Sequence, residues 1–255
     1  MEGCGEGVFL VLNIHPHPAS PIKGEVTKRA ESNVFLLPTS TIGKKLLMTI
    51  TGQFMVLFVI VHVLGNSTIY VNWLNAYAVS LHAFPPFLWA IRLVMIAAVL
   101  FHIYLGIMTT LENSAAKPQA YAITHHLSAT FAGRNMIWTG ALIFSFLIYH
   151  LLQFTFQITD PAIAAIRNLD ALGRPDVLSM VVQSFQHMSI VLVYLVSMTA
   201  LLLHLTHGVQ SSFQTWGMNN DKSLAIMIKA GTLTAVVLFL GYVAMPMVIV
   251  LRILK

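Results

Sequence analysis

Residues 188–209 read MSIVLVYLVSMTALLLHLTHGV, a run without Asp, Glu, Lys or Arg that nevertheless holds His204 and His207. A helix needs roughly 20 residues to cross about 30 Å of hydrocarbon, so this run predicts a transmembrane helix. Windows of similar length and apolarity lie at 46–65, 88–111, 136–158 and 224–251, with Arg92 and Lys229 their only Asp, Glu, Lys or Arg residues. With 57% hydrophobic residues, 9% charged residues and a mean hydropathy of +0.78, the chain is too apolar for an ordinary soluble domain. The expected fold is an all-α membrane protein with five transmembrane helices, spanning 39–255 after a poorly ordered, proline-bearing tail at 1–38. Val8 to Leu12 in that tail is too short an apolar run for a signal-peptide core. Ser40 and Thr41 can cap the first helix, Pro85 and Pro86 fit a helix entry at the end of the outer connection at about 67–86, and the longer outer connection, Thr159 to Gln186, has room for a short surface helix.

Four of the five windows contain histidine well inside the apolar run: His62, His102, His150, and His204 with His207. All nine carboxylates, Glu2, Glu6, Glu25, Glu31, Glu112, Asp160, Asp170, Asp176 and Asp221, lie outside the windows, so none is an ion-pair partner within its segment. Neutral imidazole is a common metal ligand and the usual axial ligand of haem iron, and an ionisable group inside a membrane is a functional candidate by default. The competing reading is a hydrogen bond between helices. Basic charge orients the chain. Lys44, Lys45, Lys117, Arg134, Lys222 and Lys229 fall on one side, joined by Lys23, Lys28 and Arg29 of the tail. Arg92, Arg167, Arg174, Arg252 and Lys255 fall on the other. The positive-inside bias then predicts a cytoplasmic amino terminus and an outer carboxyl terminus. Nothing in this charge pattern suggests nucleic acid as a partner.

Counting along helices at 1.5 Å per residue sorts the histidines by depth. His62, 17 residues after Lys45, and His150, 16 after Arg134, both lie roughly 24 to 26 Å from the inner boundary. His102, ten residues before Glu112, and His207, ten before Gly217, both lie about 15 Å from it. Two level pairs result, His62 with His150 and His102 with His207, as two haems in a four-helix core require. His204 is one turn from His207 on much the same face, and spacing alone does not eliminate it. Gly65, Gly106 and Gly208, each within about one turn of a candidate ligand, allow a macrocycle to approach the backbone or helices to pack closely. His82, His125, His126 and His187 read as loop or interface residues, and His15 and His17 belong to the tail. The single cysteine, Cys4, excludes an iron-sulfur cluster held by this chain's cysteines alone.

Over about residues 40–251 the chain resembles the single-chain di-haem cytochrome b anchors of succinate dehydrogenases and fumarate reductases. The similarity rests on Ser40-Thr41-Ile42-Gly43-Lys44-Lys45 leading to Thr51-Gly52, on His62-Val63-Leu64-Gly65-Asn66, on Asn75-Ala76-Tyr77-Ala78, and on His207-Gly208 followed by Ser211, Phe213 and Gln214. The resemblance implies that His207 is the fourth-helix ligand, with His62 and His150 holding the outer haem b and His102 and His207 the inner one. It implies a flavoprotein subunit, an iron-sulfur subunit docking on the cytoplasmic face, menaquinone as substrate, and a prokaryotic cytoplasmic membrane, with room for a higher oligomer of the complex. Flavin and iron-sulfur clusters belong to those partners. Asn66, Asn75, Tyr77, His82 and Arg92 are polar groups near the outer side that serve as candidate quinone contacts, against plain capping and loop roles. Where some relatives carry glutamate two residues before the fourth-helix ligand, this chain has Leu205. The alternatives are the cytochrome b of a formate dehydrogenase, nitrate reductase or hydrogenase and, from a different class, a transporter or structural anchor without haem.

Overall fold

The computed structural model describes residues 40–116, 130–218 and 220–254. The expectations for the 1–38 tail, Cys4, His15, His17, His125 and His126 lie outside these residues. Helices dominate, and among the described residues strand pairing is limited to one isolated bridge, Leu169 with Pro175. Five helices are long and apolar enough to cross a membrane, in the five predicted windows. The protein is therefore an all-α membrane protein.

Helix α1 (Thr41–Asn66) starts where Ser40 Oγ accepts from Gly43 N at 3.0 Å, as the Ser40-Thr41 pair predicts. It runs into a 3-10 turn (Ser67–Val71) that stops at Asn72, in the left-handed region with φ 57°. A short α2 (Leu74–His82) follows, and Pro85 and Pro86 open α3 (Pro85–Ala115), where a missing N–H costs nothing. After the one-turn α4 (Phe131–Arg134), α5 (Met136–His150) passes directly into a π turn (Leu151–Thr155). Next come α6 (Val177–Phe185), α7 (Met188–Thr215) and α8 (Asp221–Val250), the last capped by Asn220 and carrying Pro246.

The helix contacts close a ring: α1 on α3, α3 on α5, α5 on α7 and α7 on α1, with α8 outside against α7 and α1. These four ring helices are the ones that carry the intramembrane histidines. Leu57, Leu64, Leu93, Ile96, Leu100 and Leu240 point outward and exposed, which suits lipid, a solvent as apolar as leucine itself. On the side of Lys44, that residue pairs with Glu112 and ties α1 to α3.

The connections between spans are more structured than their composition suggests. Residues 67–86, read as a connection ending at Pro85-Pro86, contain α2. The short surface helix expected within 159–186 is α6, but it is not superficial: Met180, Val181, Val182 and Phe185 are buried. They pack with Ile69, Leu74, Val191 and Tyr194 in one apolar cluster, so α6 roofs the end of the bundle opposite Lys44. Asn75, also buried, holds this roof: its Nδ2 donates to Asp170 (3.2 Å) and Asp176 (3.1 Å), while its Oδ1 accepts from Leu178 N (2.8 Å).

Candidate functional site

Inside the ring the imidazoles meet in twos. His62 on α1 and His150 at the end of α5 face each other with ring centroids 5.9 Å apart and planes at 88°. His102 on α3 faces His204 on α7 at 6.4 Å and 62°. Among the described residues no three His, Cys, Asp or Glu side chains converge into a group that could hold a metal ion, and the imidazoles meet two at a time. Two imidazoles binding one iron from opposite sides, with a metal–nitrogen bond of about 2 Å and about 1 Å more to each ring centre, place their centroids about 6 Å apart. Both pairs have that separation.

Hydrogen bonds fix which ring nitrogen is free. Tyr194 Oη donates its proton to Gln153 Oε1 (2.9 Å), so its contact with His150 Nδ1 (3.1 Å) has the imidazole N–H as donor. Thr51 Oγ1 donates its one proton to the α1 carbonyl of Leu47 (2.9 Å) or Met48 (3.0 Å) and accepts from His102 Nδ1 at 3.1 Å. The Met48 carbonyl, an acceptor only, also lies 3.1 Å from His102 Nδ1. Thr139 Oγ1 donates to Asn135 O (3.0 Å) or Met136 O (3.1 Å) and accepts from His204 Nδ1 at 3.1 Å. Three imidazoles are thus held with a proton on Nδ1 and a lone pair on Nε2, the arrangement in which an outer partner orients a metal-ligating histidine. His62 differs: its Nε2 contacts Asn66 Nδ2 at 3.2 Å, and Phe58 stacks on its ring.

The surroundings fit a planar macrocycle. Gly106 lies one turn beyond His102 and Gly208 one turn beyond His204; a Cβ at either would meet no atom within 4 Å. Thr109, seven residues from His102 and on its face, has a buried Oγ1 with no partner among the described residues, a donor available to a polar substituent. Against the other side of each ring the packing is close: a Cβ on Gly52 would stand 3.2 Å from His102 Cε1, and one on Gly140 3.5 Å from His204 Cε1.

The structure brings together His62 with His150, as depth predicts, but opposite His102 it sets His204 where depth predicts His207. The reason lies in the helix ends. Helix α3 continues to Ala115, 13 residues past His102, while α7 ends at Thr215, 11 past His204 but only 8 past His207. His204 is therefore the level partner. His207 sits one turn nearer the Lys44 side, its ring against α4, where a Cβ on Gly133 would lie 2.9 Å from His207 Cε1.

The five candidate quinone contacts do not form one cluster. Asn66 touches His62, and Asn75 is consumed by the roof. The Tyr77 ring lies over Gly65, the exposed His82 bonds the Ala78 carbonyl at 2.8 Å through Nδ1, and Arg92 lies over Trp89 at 5.2 Å. Of the imidazoles' partners, the sequence pointed to Thr51 only through the resemblance, and Thr139, Gln153 and Tyr194 went unmarked. Their signal was a polar side chain within an apolar window.

No family description, curated protein or solved structure matches this chain.

Proposed function

We propose that this chain is a di-haem cytochrome b, the membrane anchor and electron-transfer subunit of a succinate:menaquinone oxidoreductase. One observation carries the reading: two pairs of facing imidazoles, at 5.9 and 6.4 Å, on four helices closed into a ring. The resemblance of the Ser40–Lys45, His62–Asn66, Asn75–Ala78 and His207–Gly208 stretches to succinate dehydrogenase and fumarate reductase anchors supports the choice of complex.

In this reading His62 and His150 hold one haem b and His102 and His204 the other. His204 replaces His207 because it faces His102 and has its Nδ1 committed to Thr139. Bound there, the haems would supply one-electron carriers in two steps across the hydrocarbon. The chain's own residues do the positioning. Tyr194, Thr51, Met48 and Thr139 hold the proton on Nδ1 of three of these histidines and leave Nε2 free to ligate, while His62 would have to give up its Asn66 contact to do so. Two residues before His204 stands Leu202, as apolar as the Leu205 that precedes His207, so neither assignment supplies a carboxylate beside the ligand.

The flavin and the iron-sulfur clusters reside in partner subunits docked on the Lys44 side, the cytoplasmic face of a prokaryotic membrane. The test is a reduced-minus-oxidised optical spectrum of the purified chain with haem quantification. Two low-spin haems per chain are expected, and a preparation that binds none overturns the reading. Copurification of a flavin-bearing subunit supports the succinate complex; a molybdenum or nickel subunit transfers the chain to a formate dehydrogenase, nitrate reductase or hydrogenase.

A further inference from the structure

The sequence of α1 returns in α5. Residues 48–62 and 136–150 both read Met-x2-Thr-Gly-x5-Phe-x-Ile-x-His, six identities in fifteen positions. The spans that follow each carry His-x3-Gly, His102 to Gly106 in α3 and His204 to Gly208 in α7. So sparse a match means little as sequence, but the structure gives its members the same roles.

Thr51 and Thr139 each donate their proton to a carbonyl one turn back in their own helix, Leu47 or Met48 in the first copy and Asn135 or Met136 in the second. Each then accepts from Nδ1 of the histidine in the next span, His102 or His204, and both contacts measure 3.1 Å. Gly52 and Gly140, next in line, let that same ring lie close to the backbone. Phe58 and Phe146 lie beside the histidine of their own helix, with centroids 5.5 and 5.7 Å from it.

Each facing pair therefore joins equivalent positions of the two copies, His62 with His150 and His102 with His204. Identical positions meet in this way across a two-fold axis. Helices α1 and α5 both run from the Lys44 side towards the roof, so the axis stands along the membrane normal and passes through both pairs. The register also distinguishes the histidines of α7. The counterpart of His204 is His102, whereas the counterpart of His207 is Leu105, apolar and fully buried. Only around the pair nearer the roof do the copies diverge: Tyr194 and Gln153, which reach His150, stand where the first copy has Arg92 and Gly65.

We propose that α1 with α3 and α5 with α7 are two copies of one hairpin, and that Thr51 and Thr139 are twin positioning residues acting on the single pair His102 and His204. For the identity of the group between those histidines the proposal rests on the cytochrome reading. An imidazole whose Nδ1–H is held by an acceptor is a stronger donor through Nε2, which favours the oxidised state of a metal. Equivalent residues should contribute to this equally.

The test is made on the full chain in lipid nanodiscs. Thr51→Val and Thr139→Val should each raise the reduction potential of the same haem, by shifts that agree within about twofold, and the double variant should raise it by about their sum, since they act on separate rings. Thr51→Ser and Thr139→Ser, which keep the hydroxyl, should hold the original potential. Shifts in different haems, of opposite sign, or in one variant only overturn the proposal. His207→Leu, which gives the second copy the residue of the first, should keep both haems; loss of one would show the register to be wrong.

Thermal unfolding supplies a readout that needs no haem. In double-mutant cycles with alanine, Thr51 should couple to His102 and Thr139 to His204 to a similar extent, and Thr51 should not couple to His204. Coupling in one pair alone overturns the proposal with or without haem. A chain that binds no haem yet shows both couplings sinks the cytochrome reading and upholds the twin roles.

Discussion

His102 and His204 face each other across the ring of helices with centroids 6.4 Å apart, while His207, one turn away, rests against Gly133. The two histidines of α7 are close in sequence, yet they have different neighbours. If the chain is the proposed di-haem cytochrome, His204→Ala should remove one of two low-spin haems and His207→Asn should leave both, as counted by pyridine haemochrome assay. Retention of two haems in the His204 variant with loss in the His207 variant would return the ligand to His207.

The Tyr194 hydroxyl links the half-buried His150 to Gln153, and Tyr194 and Gln153 are themselves buried. Tyr194→Phe keeps the ring and its edge contacts with Phe146 and Phe185, both at 4.8 Å, but strips Gln153 Oε1 of its donor and His150 Nδ1 of its acceptor. Leaving such buried groups unpaired costs about 1–3 kcal/mol. Thermal unfolding should shift down accordingly. In the proposed cytochrome, a haem held by His62 and His150 should change its reduction potential while the other stays put; equal shifts in both would argue against a local effect.

Gly65 is the point where α1 admits the ring of Tyr77. A Cβ there would lie 2.6 Å from Tyr77 Cζ and 2.9 Å from Cε1, and the side chain at fault is an aromatic ring seated beneath the roof. Gly65→Ala should destabilise by about 1–3 kcal/mol, the usual cost of overpacking. Combining it with Tyr77→Ala should cost less than the two single changes added together, as measured in a double-mutant cycle of thermal stability.

In the connection after α5, the Arg174 side chain bonds Asp170 (Nε to Oδ2, 2.8 Å), and backbone N–H groups of Arg174 and Leu172 add two more bonds at 2.9 Å. These bonds, the Arg174 guanidinium first, hold the Asp170 carboxyl well below the usual carboxylate range. A depressed carboxyl contributes stability that is fully present above the ordinary carboxylate value, near about pH 4, and is lost as pH falls through the lower folded value. Pepsin cleavage between Asp160 and Asp176 should therefore be slow at pH 4 and quicken as pH is lowered further. In Arg174→Leu the quickening should begin at higher pH; identical profiles would show that the ion pair does not hold the loop.

The five spans were legible in the sequence because hydrophobic length is a local property, and a membrane demands it segment by segment. Ser40 as a cap and Pro85-Pro86 as a helix start were legible for the same reason, since each acts within one turn. Depth counting also found His62 opposite His150, because short connections make neighbouring spans antiparallel and keep the count simple.

Choosing between His204 and His207 needed more. The two differ by three residues, and where α3 and α7 end, at Ala115 and Thr215, depends on contacts beyond either window. The roof was hidden too: α6 buries its apolar side against Ile69, Leu74, Val191 and Tyr194, and Asn75, some hundred positions earlier, bonds Asp170, Asp176 and Leu178 to hold it there. Composition by itself determined that this chain lives in a membrane as helices with imidazoles inside. Which imidazole faces which, and which ring nitrogen each leaves free, were decided by packing between distant segments, since a hydrogen bond or a ring-to-ring distance belongs to two helices at once.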